Sequence, residues 1–151
     1  MDIIFNHSLL SLNKEISTPE ESIRYAGQLM ANQGICSEAY IDEMCHVFQV
    51  FGSAIVLDYG IAMPHARPEK GALKTGFSLV TVVNPLNFGH EEFDPIKVVI
   101  AISGADADSH IKMIQLIATL IESGIVDFLE NENDHHTVMD FIQREMEESL
   151  C

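Results

Sequence analysis

The sequence has few basic side chains and no long apolar segment. Its 151 residues include 8 lysines and arginines against 23 aspartates and glutamates, which gives a formal net charge of −15. That charge disfavours binding to nucleic acid and to anionic membrane surfaces, and it suits a basic protein partner better. The longest apolar runs, such as 98–102, are too short to cross a bilayer. We therefore expect neither a nucleic-acid-binding protein nor a membrane-inserted one.

Cysteines and metal-binding motifs are equally scarce. Cys36, Cys45 and Cys151 are odd in number and form no CxxC pair, which argues against a disulfide framework or a cysteine-bound metal. There is no HExxH and no HxH pattern, and the adjacent His135 and His136 diverge on a helix. The glycines do not form a nucleotide-binding loop. We expect no metal and no cofactor, and the absence of a cleavable leader at the first residues predicts a cytoplasmic protein.

The pattern of apolar residues predicts an α/β protein. A capping box at Thr18 and Glu21 begins a helix over 19–33, and Ser37 begins another that ends at Gly52. Runs rich in β-branched residues predict strands at 54–57, 76–83 and 96–102. Helical patterns follow, opening at Gly104 to Ser109, after Gly124, and over 134–148. We expect one domain over 1–151, a layered sandwich with a mixed, mostly parallel central sheet and helices on both faces.

The segment from Gly60 to Pro68 is the most informative part of the chain. It places His65 between two prolines, just after a short apolar strand. Proline fixes φ and prevents regular structure, so His65 should be held stiffly and remain partly open. A neutral imidazole in that setting is suited to accepting a phosphoryl group, to acting as a general base, to binding a metal or to a structural role.

A second histidine is predicted to lie near the first. His110 falls in the first turn of the helix that follows the strand at 96–102, with Asp106 or Asp108 as its N-cap. In a layered α/β domain both histidines can lie at the same edge of the sheet. The N-terminus of that helix would offer N–H groups and a partial positive charge to a phosphoryl group.

The block Gly60-Ile61-Ala62-Met63-Pro64-His65, with a second histidine some forty residues later, resembles the IIA (EIIA) components of the bacterial sugar phosphotransferase system (PTS), mannitol/fructose superfamily. The stretches 66–71 and 74–81, with Asp94-Pro95-Ile96, are most similar to the ascorbate branch. The resemblance implies a carrier without a cofactor. It implies that His65 takes phosphate from the carrier protein HPr and gives it to a cysteine of the cognate IIB component, which serves a membrane IIC component. It also implies that the histidine matching His110 lies beside the active one, where it can hydrogen-bond the phosphoryl group or hold the imidazole.

Two positions depart from the family pattern. Mannitol-type members carry an arginine in the helix before the loop, and residues 45–51 contain none. Arg67 is a candidate to replace it, because a guanidinium can hold phosphoryl oxygens with two parallel hydrogen bonds. Gly52-Ser53-Ala54 stands where ascorbate-type sequences tend to have proline and an aromatic residue, so Ser53 is a second supporting candidate and the transported sugar acid or polyol stays open.

Three functions fit these residues. The first is a histidine phosphotransferase component that feeds a transporter for ascorbate or a related sugar acid or polyol. The second is a IIA-like regulator whose phosphorylation state controls a transcription factor or kinase. The third is a small hydrolase that uses His65 and His110 as acid and base, although the sequence offers neither an identifiable nucleophile nor a carboxylate to orient them. The sequence also leaves a homo-oligomer open.

Overall fold

A five-stranded mixed sheet forms the middle layer of the structure, a computed structural model that describes residues 2–150 apart from the side chain of Leu150. The order across the sheet is β1-β4-β5-β3-β2. β4 and β5 pair antiparallel at its centre. β1 pairs parallel with β4, β3 pairs parallel with β5, and β2 pairs antiparallel with β3. The strands are β1 (Leu10–Lys14), β2 (Val56–Asp58), β3 (Ile61–Ala62), β4 (Gly76–Leu86) and β5 (Ile96–Ser103).

Helices cover both faces of this sheet. On one face α1 (Pro19–Ala31) packs against β4 and β5, and α2 (Glu38–Phe51) packs against α1. The others pack around α3, which contacts β5, and they are α3 (Ala107–Glu122), α4 (Ile125–Asn131) and α5 (His135–Leu150). Nearly every residue of β5 and the first seven of β4 are buried, as expected for strands covered on both faces. The predicted α/β sandwich with a mixed sheet is confirmed.

The predicted helix starts are also confirmed. Thr18 Oγ1 accepts the N–H of Glu21 at 3.1 Å, and Ser37 Oγ accepts the N–H of Tyr40 at 3.3 Å. At α3 the cap is Asp106, whose carboxylate accepts the N–H of Ser109 at 2.8 Å. Each cap satisfies a backbone donor that the first helical turn leaves free.

Two strand predictions need correction. Residues 52–55 form a 3₁₀ turn rather than the start of a strand, because the N–H of Val56 donates to the carbonyl of Ser53. β2 therefore begins only at Val56, and the hairpin to β3 turns at Gly60 with a φ of 76°. β4 does not end at Asn84-Pro85 but continues to Leu86. Proline is tolerated there because the pairing with β5 shifts register between Thr81 and Leu86, so that little of the ladder is lost.

β1 was not among the predicted strands. Its burial does not alternate cleanly along the strand, so the sequence carries little period-two signal.

No helix within residues 2–150 combines the length and the apolar character needed to cross a membrane. Cys36 and Cys45 are buried free thiols, and Cys151 lies outside the described residues.

Candidate active site

Backbone hydrogen bonds fix the start of the segment that carries His65, immediately after β3. The N–H of Met63 donates to the carbonyl of Ile55 at 2.8 Å, and the N–H of Ile102 donates to the carbonyl of Pro64 at 3.1 Å. Met63 is 2% exposed and belongs to the core, whereas His65 is half-buried. The local fold therefore presents the imidazole at the surface from a fixed backbone, as the flanking prolines predicted.

The orientation of the His65 ring fixes which nitrogen can react. Nδ1 lies 2.8 Å from the carbonyl oxygen of Met63. Because a carbonyl oxygen only accepts, Nδ1 carries the proton in this hydrogen bond. Nε2 of the neutral ring then holds a free lone pair, and it is the nucleophilic or basic atom of the site.

His110 lies beside this ring, as the sequence predicted for two histidines at one edge of the sheet. The ring centroids of His65 and His110 are 5.6 Å apart, with an angle of 51° between the planes. Nδ1 of His110 is buried and has no hydrogen-bond partner among the residues that the structure describes. Burial lowers the pKa of His110 below its ordinary value, and the neighbouring charge of His65 lowers it further. Both effects favour the neutral form of His110.

Gly104 sets how closely α3 approaches β5. A Cβ built at this position would overlap the backbone of His110, and it would lie 2.9 Å from the His110 Cβ. No other residue type fits without a shift of the first turn of α3. Gly104, which directly follows β5, thus determines where His110 lies.

The two histidines open onto a shallow depression of about 570 Å³. Its walls come from the His65 segment, from one side of α2 and the turn that follows it, and from His110 on α3. Most of the lining is apolar, and Phe51 is 66% exposed at the rim. The lining residues are Glu43, Val47, Phe51, Ala54, Ile55, His65, Ala66, Arg67, Pro68 and His110.

The supporting candidates from the sequence differ in their placement. Arg67 lies at the rim, where its Nε is 2.9 Å from Oε1 of Glu69 and its side chain is 81% exposed. Ser53 does not line the depression, so we give it no part in the chemistry. From α2 the lining receives Glu43, Val47 and Phe51, which means that this helix supplies a carboxylate and no cation.

The other histidines lie away from this site. His46 is exposed on α2. His90 organises its own loop, since its Nδ1 accepts the N–H groups of Glu92 and Phe93 at 3.1 and 3.0 Å. Within residues 2–150, no three histidine, cysteine or acidic side chains converge as metal ligands would.

Sequence reasoning missed three contributors to the site. Tyr40 and Glu43 lie on α2, where the helical period indicated only a buried face, and Gly104 appeared only as part of a helix start. A buried tyrosine needs a partner for its hydroxyl, and that requirement is the one feature that could have drawn attention to Tyr40.

Comparison with known proteins places this arrangement in a family. Residues 3–145 match the family model described as "Phosphoenolpyruvate-dependent sugar phosphotransferase system, EIIA 2". The chain belongs to this family. It is therefore a phosphotransferase component, an EIIA protein of the sugar phosphotransferase system.

Relatives of this EIIA protein support the same placement. The ascorbate-specific PTS system EIIA component of Salmonella typhimurium is 31% identical over 145 residues, which cover 95% of this chain and 94% of the relative. The solution structure of the mannitol-specific cryptic phosphotransferase enzyme IIA CmtB from Escherichia coli is 36% identical, with a TM-score of 0.82 and coverage of 93% and 95%. IIA Mtl in its complex with phosphorylated IIB Mtl from Escherichia coli shares the fold, with a TM-score of 0.81 at 24% identity and coverage of 93% and 98%.

We expect Gly104→Ala to displace His110 and to destabilise this EIIA protein. The added methyl must push the first turn of α3 away from β5, which should lower the free energy of unfolding by about 1–3 kcal/mol. In NMR spectra the nuclear Overhauser contacts between the rings of His65 and His110 should disappear. Gly34→Ala is the control, because Gly34 has a positive φ (70°) that strains an alanine but has open space where the Cβ would lie. That variant should lose stability and keep the ring contacts. Native stability and intact contacts in Gly104→Ala would contradict this account.

We expect His110 to titrate below the ordinary histidine value of 6.5. Unfolded His110 binds its proton near that value and the native side chain binds it only at lower pH, so its contribution to stability falls as the pH drops through 6.5. An NMR titration of the ring protons measures the midpoint directly. In His65→Ala the midpoint should rise but stay below 6.5, because burial is the larger cause. A midpoint at or above 6.5 in the native chain would refute the expectation.

Proposed function

We propose that this EIIA protein is a single-domain phosphoryl carrier. Nε2 of His65 accepts the phosphoryl group of phosphorylated HPr and passes it to a cysteine of the cognate IIB component, which serves a membrane IIC transporter. The observation that carries the proposal is the 2.8 Å hydrogen bond from Nδ1 to the carbonyl of Met63. That bond leaves Nε2 unprotonated and directed away from the backbone, in a depression open to another protein.

The transfer steps balance without an added acid or base. The lone pair of Nε2 attacks phosphorus, the bond from phosphorus to the donor's nitrogen breaks, and that pair of electrons stays on the donor's imidazole. His65 is then phosphorylated on Nε2 while Nδ1 keeps its proton. When a IIB thiolate attacks phosphorus in turn, the neutral imidazole of His65 leaves. The carbonyl of Met63 stabilises the ring while it carries both the proton and the phosphoryl group, because it faces the positive N–H.

His110 is proposed to stabilise the phosphoryl oxygens. In the unphosphorylated protein its pKa is lowered by burial and by His65. A phosphoryl dianion on His65 would favour the charged imidazolium instead, so the neutral ring can take up a proton as the negative charge arrives. The N-terminus of α3 contributes less than the sequence suggested, because Asp106 already accepts the N–H of Ser109.

Arg67 is proposed to exchange partners when His65 is phosphorylated. Its ion pair with Glu69 is exposed to solvent, and such pairs contribute only about 0–1 kcal/mol. A guanidinium hydrogen-bonds a phosphoryl group in a bidentate manner, which is the stronger interaction. Arg67 can therefore leave Glu69 at small cost.

The surface around His65 fits a docking partner better than a small-molecule substrate. The depression is shallow and mostly apolar, and exposed Phe51 and Ile111 lie on the two helices that contribute to it, at 66% and 53% exposure. Apolar surface of this kind is buried when proteins associate. The net charge of −15 favours a basic donor.

The sugar is proposed from kinship alone. The relatives named above include an ascorbate-specific EIIA and a mannitol-specific cryptic IIA. We propose ascorbate or a related sugar acid or polyol as the transported class. The EIIA protein hands phosphate to IIB and does not meet the sugar, so specificity is tested by which IIB removes the phosphate.

We expect native protein incubated with phosphoenolpyruvate, Enzyme I and HPr to gain one acid-labile phosphoryl group, measured by intact mass. His65→Ala should gain none, whereas His46→Ala, which removes an exposed histidine of α2, should behave as native. Ascorbate-type and mannitol-type IIB proteins are then added separately, and loss of the phosphate to one of them identifies the branch. An unmodified native chain would refute the proposal. Phosphate retained with every IIB would favour a regulatory EIIA.

We expect Arg67→Gln to shorten the lifetime of phosphorylated His65 and to lower its steady-state level severalfold. The reason is the loss of a cation for the phosphoryl oxygens, an interaction of about 1.5–3 kcal/mol when charged groups hydrogen-bond. Lys70→Gln, in the same exposed turn, is the matched control for the change in net charge. If both variants kept the native lifetime, Arg67 would have no role in holding the phosphoryl group.

A further inference from the structure

One buried hydroxyl lies where the His65 segment, α2 and the end of β5 meet. Oη of Tyr40 accepts the N–H of Ala66 at 3.1 Å and donates to the carbonyl of Ile102 at 2.8 Å. The carbonyl of Ala66 is also within reach, at 3.2 Å. The side chain is fully buried. Tyr40 thus joins the residue immediately after His65 to the central sheet.

The hydroxyl is suited to this fixed role. Burial raises the pKa of Tyr40 to about 12, so the group stays protonated and keeps its donor at any pH at which the protein works. A single hydroxyl proton serves the shorter bond, to Ile102, while the oxygen accepts from Ala66. Both backbone groups are buried, and a buried backbone group without a partner is costly.

Tyr40 completes a set of bonds on both sides of His65. Before the histidine, the backbone of Met63 is bonded to Ile55 and the carbonyl of Pro64 to Ile102. After it, the N–H of Ala66 is bonded to Tyr40. The chain then returns to the start of α2, where the N–H of Ser37 donates to the carbonyl of Gly71 at 2.9 Å. Hydrogen bonds therefore fix the backbone on both sides of His65. Before His65 the partners are backbone groups, and after it the partner is the side chain of Tyr40.

We propose that Tyr40 is a positioning residue for phosphoryl transfer. Its hydroxyl fixes the backbone of Ala66 and so fixes the direction in which Nε2 of His65 points. This inference rests on the proposed carrier function. Transfer between two proteins requires the attacking nitrogen, phosphorus and the leaving atom to lie in line, and a displacement of about 1 Å can cost a factor of about a hundred in rate.

The test is Tyr40→Phe, which removes the oxygen and keeps the ring that fills the core. We expect the rate of His65 phosphorylation at saturating phosphorylated HPr to fall on the order of tenfold. The HPr concentration for half-maximal rate should stay near native, because the docking surface around Phe51 and Ile111 is unchanged.

A second readout needs no phosphoryl transfer. Long-range proton–nitrogen NMR spectra report the tautomer of His65 directly. In the native chain they should show the proton on Nδ1, held by the carbonyl of Met63. In Tyr40→Phe the spectra should show a mixture of tautomers, because the ring no longer keeps a single orientation. This arm stands even if the native chain proves not to be phosphorylated, so the two proposals can fail separately.

Ser78→Ala is the matched control. It removes another fully buried hydroxyl, one that donates to the carbonyl of Ala26 at 2.7 Å between β4 and α1. We expect this variant to lose stability as Tyr40→Phe does, with native transfer rates and a single His65 tautomer. A folded Tyr40→Phe with native rate and native tautomer would overturn the proposal. Equal losses of transfer in both variants would do the same, since they would mean that general loosening is responsible.

Discussion

The end of the buried β5 strand fixes the whole site. Ile102 uses its N–H to hold Pro64 and its carbonyl to accept the hydroxyl of Tyr40. Two residues later, Gly104 lies against the backbone of His110. β5 is covered by helices on both faces and pairs with strands on both sides, so its end cannot move independently of the core. Contacts with the end of one rigid strand therefore set the positions of both histidines.

The electrostatics of the site are unusual for one proposed to accept a phosphoryl group. Of the side chains that line the depression, Arg67 is the cation, and it is paired with Glu69. Glu43 adds a carboxylate on the side of α2 that faces the depression. Val47 and Phe51 line the depression from the same helix, and the stretch 45–51 that contains them is where the resemblance to mannitol-type members led us to expect an arginine. The unphosphorylated site is thus weakly charged and largely apolar, which lowers the cost of covering it with a partner.

The sequence was sufficient to predict the local features that depend on short patterns. The caps at Thr18, Ser37 and Asp106 follow from side chains a few residues from the groups they satisfy. The fixed, half-open His65 follows from its two prolines. The features that were missed depend on contacts between distant parts of the chain. Tyr40 meets Ala66 and Ile102 only after α2 packs beside the sheet, and no helical period distinguishes such a hydroxyl from ordinary core.

Arg67 illustrates the same limit in a different way. The sequence places its guanidinium two residues from His65 but does not say where a long, flexible side chain points. In the structure the pair with Glu69 takes it along the rim, because a neighbouring carboxylate is the nearest opposite charge. For Ser53 the sequence position was misleading instead. Ser53 precedes the lining residues Ala54 and Ile55, but it does not itself line the depression.

Weak charge at the site is consistent with a carrier rather than a store of phosphate. Binding energy that stabilises the phosphorylated ground state as much as the transition state would slow the onward transfer. Before phosphorylation His110 favours its neutral form and Arg67 is paired with Glu69, so both must change state before they can stabilise a phosphoryl group. The carboxylate of Glu43 opposes the negative charge of that group. Both conditions limit the ground-state stabilisation. The geometry is instead fixed in advance, by the carbonyl of Met63 on one side of the ring and the hydroxyl of Tyr40 behind the next residue. A site organised in this way favours rapid transfer over retention. Its rigid backbone aligns the reacting atoms, and its weak charge adds little stabilisation to the bound phosphoryl group.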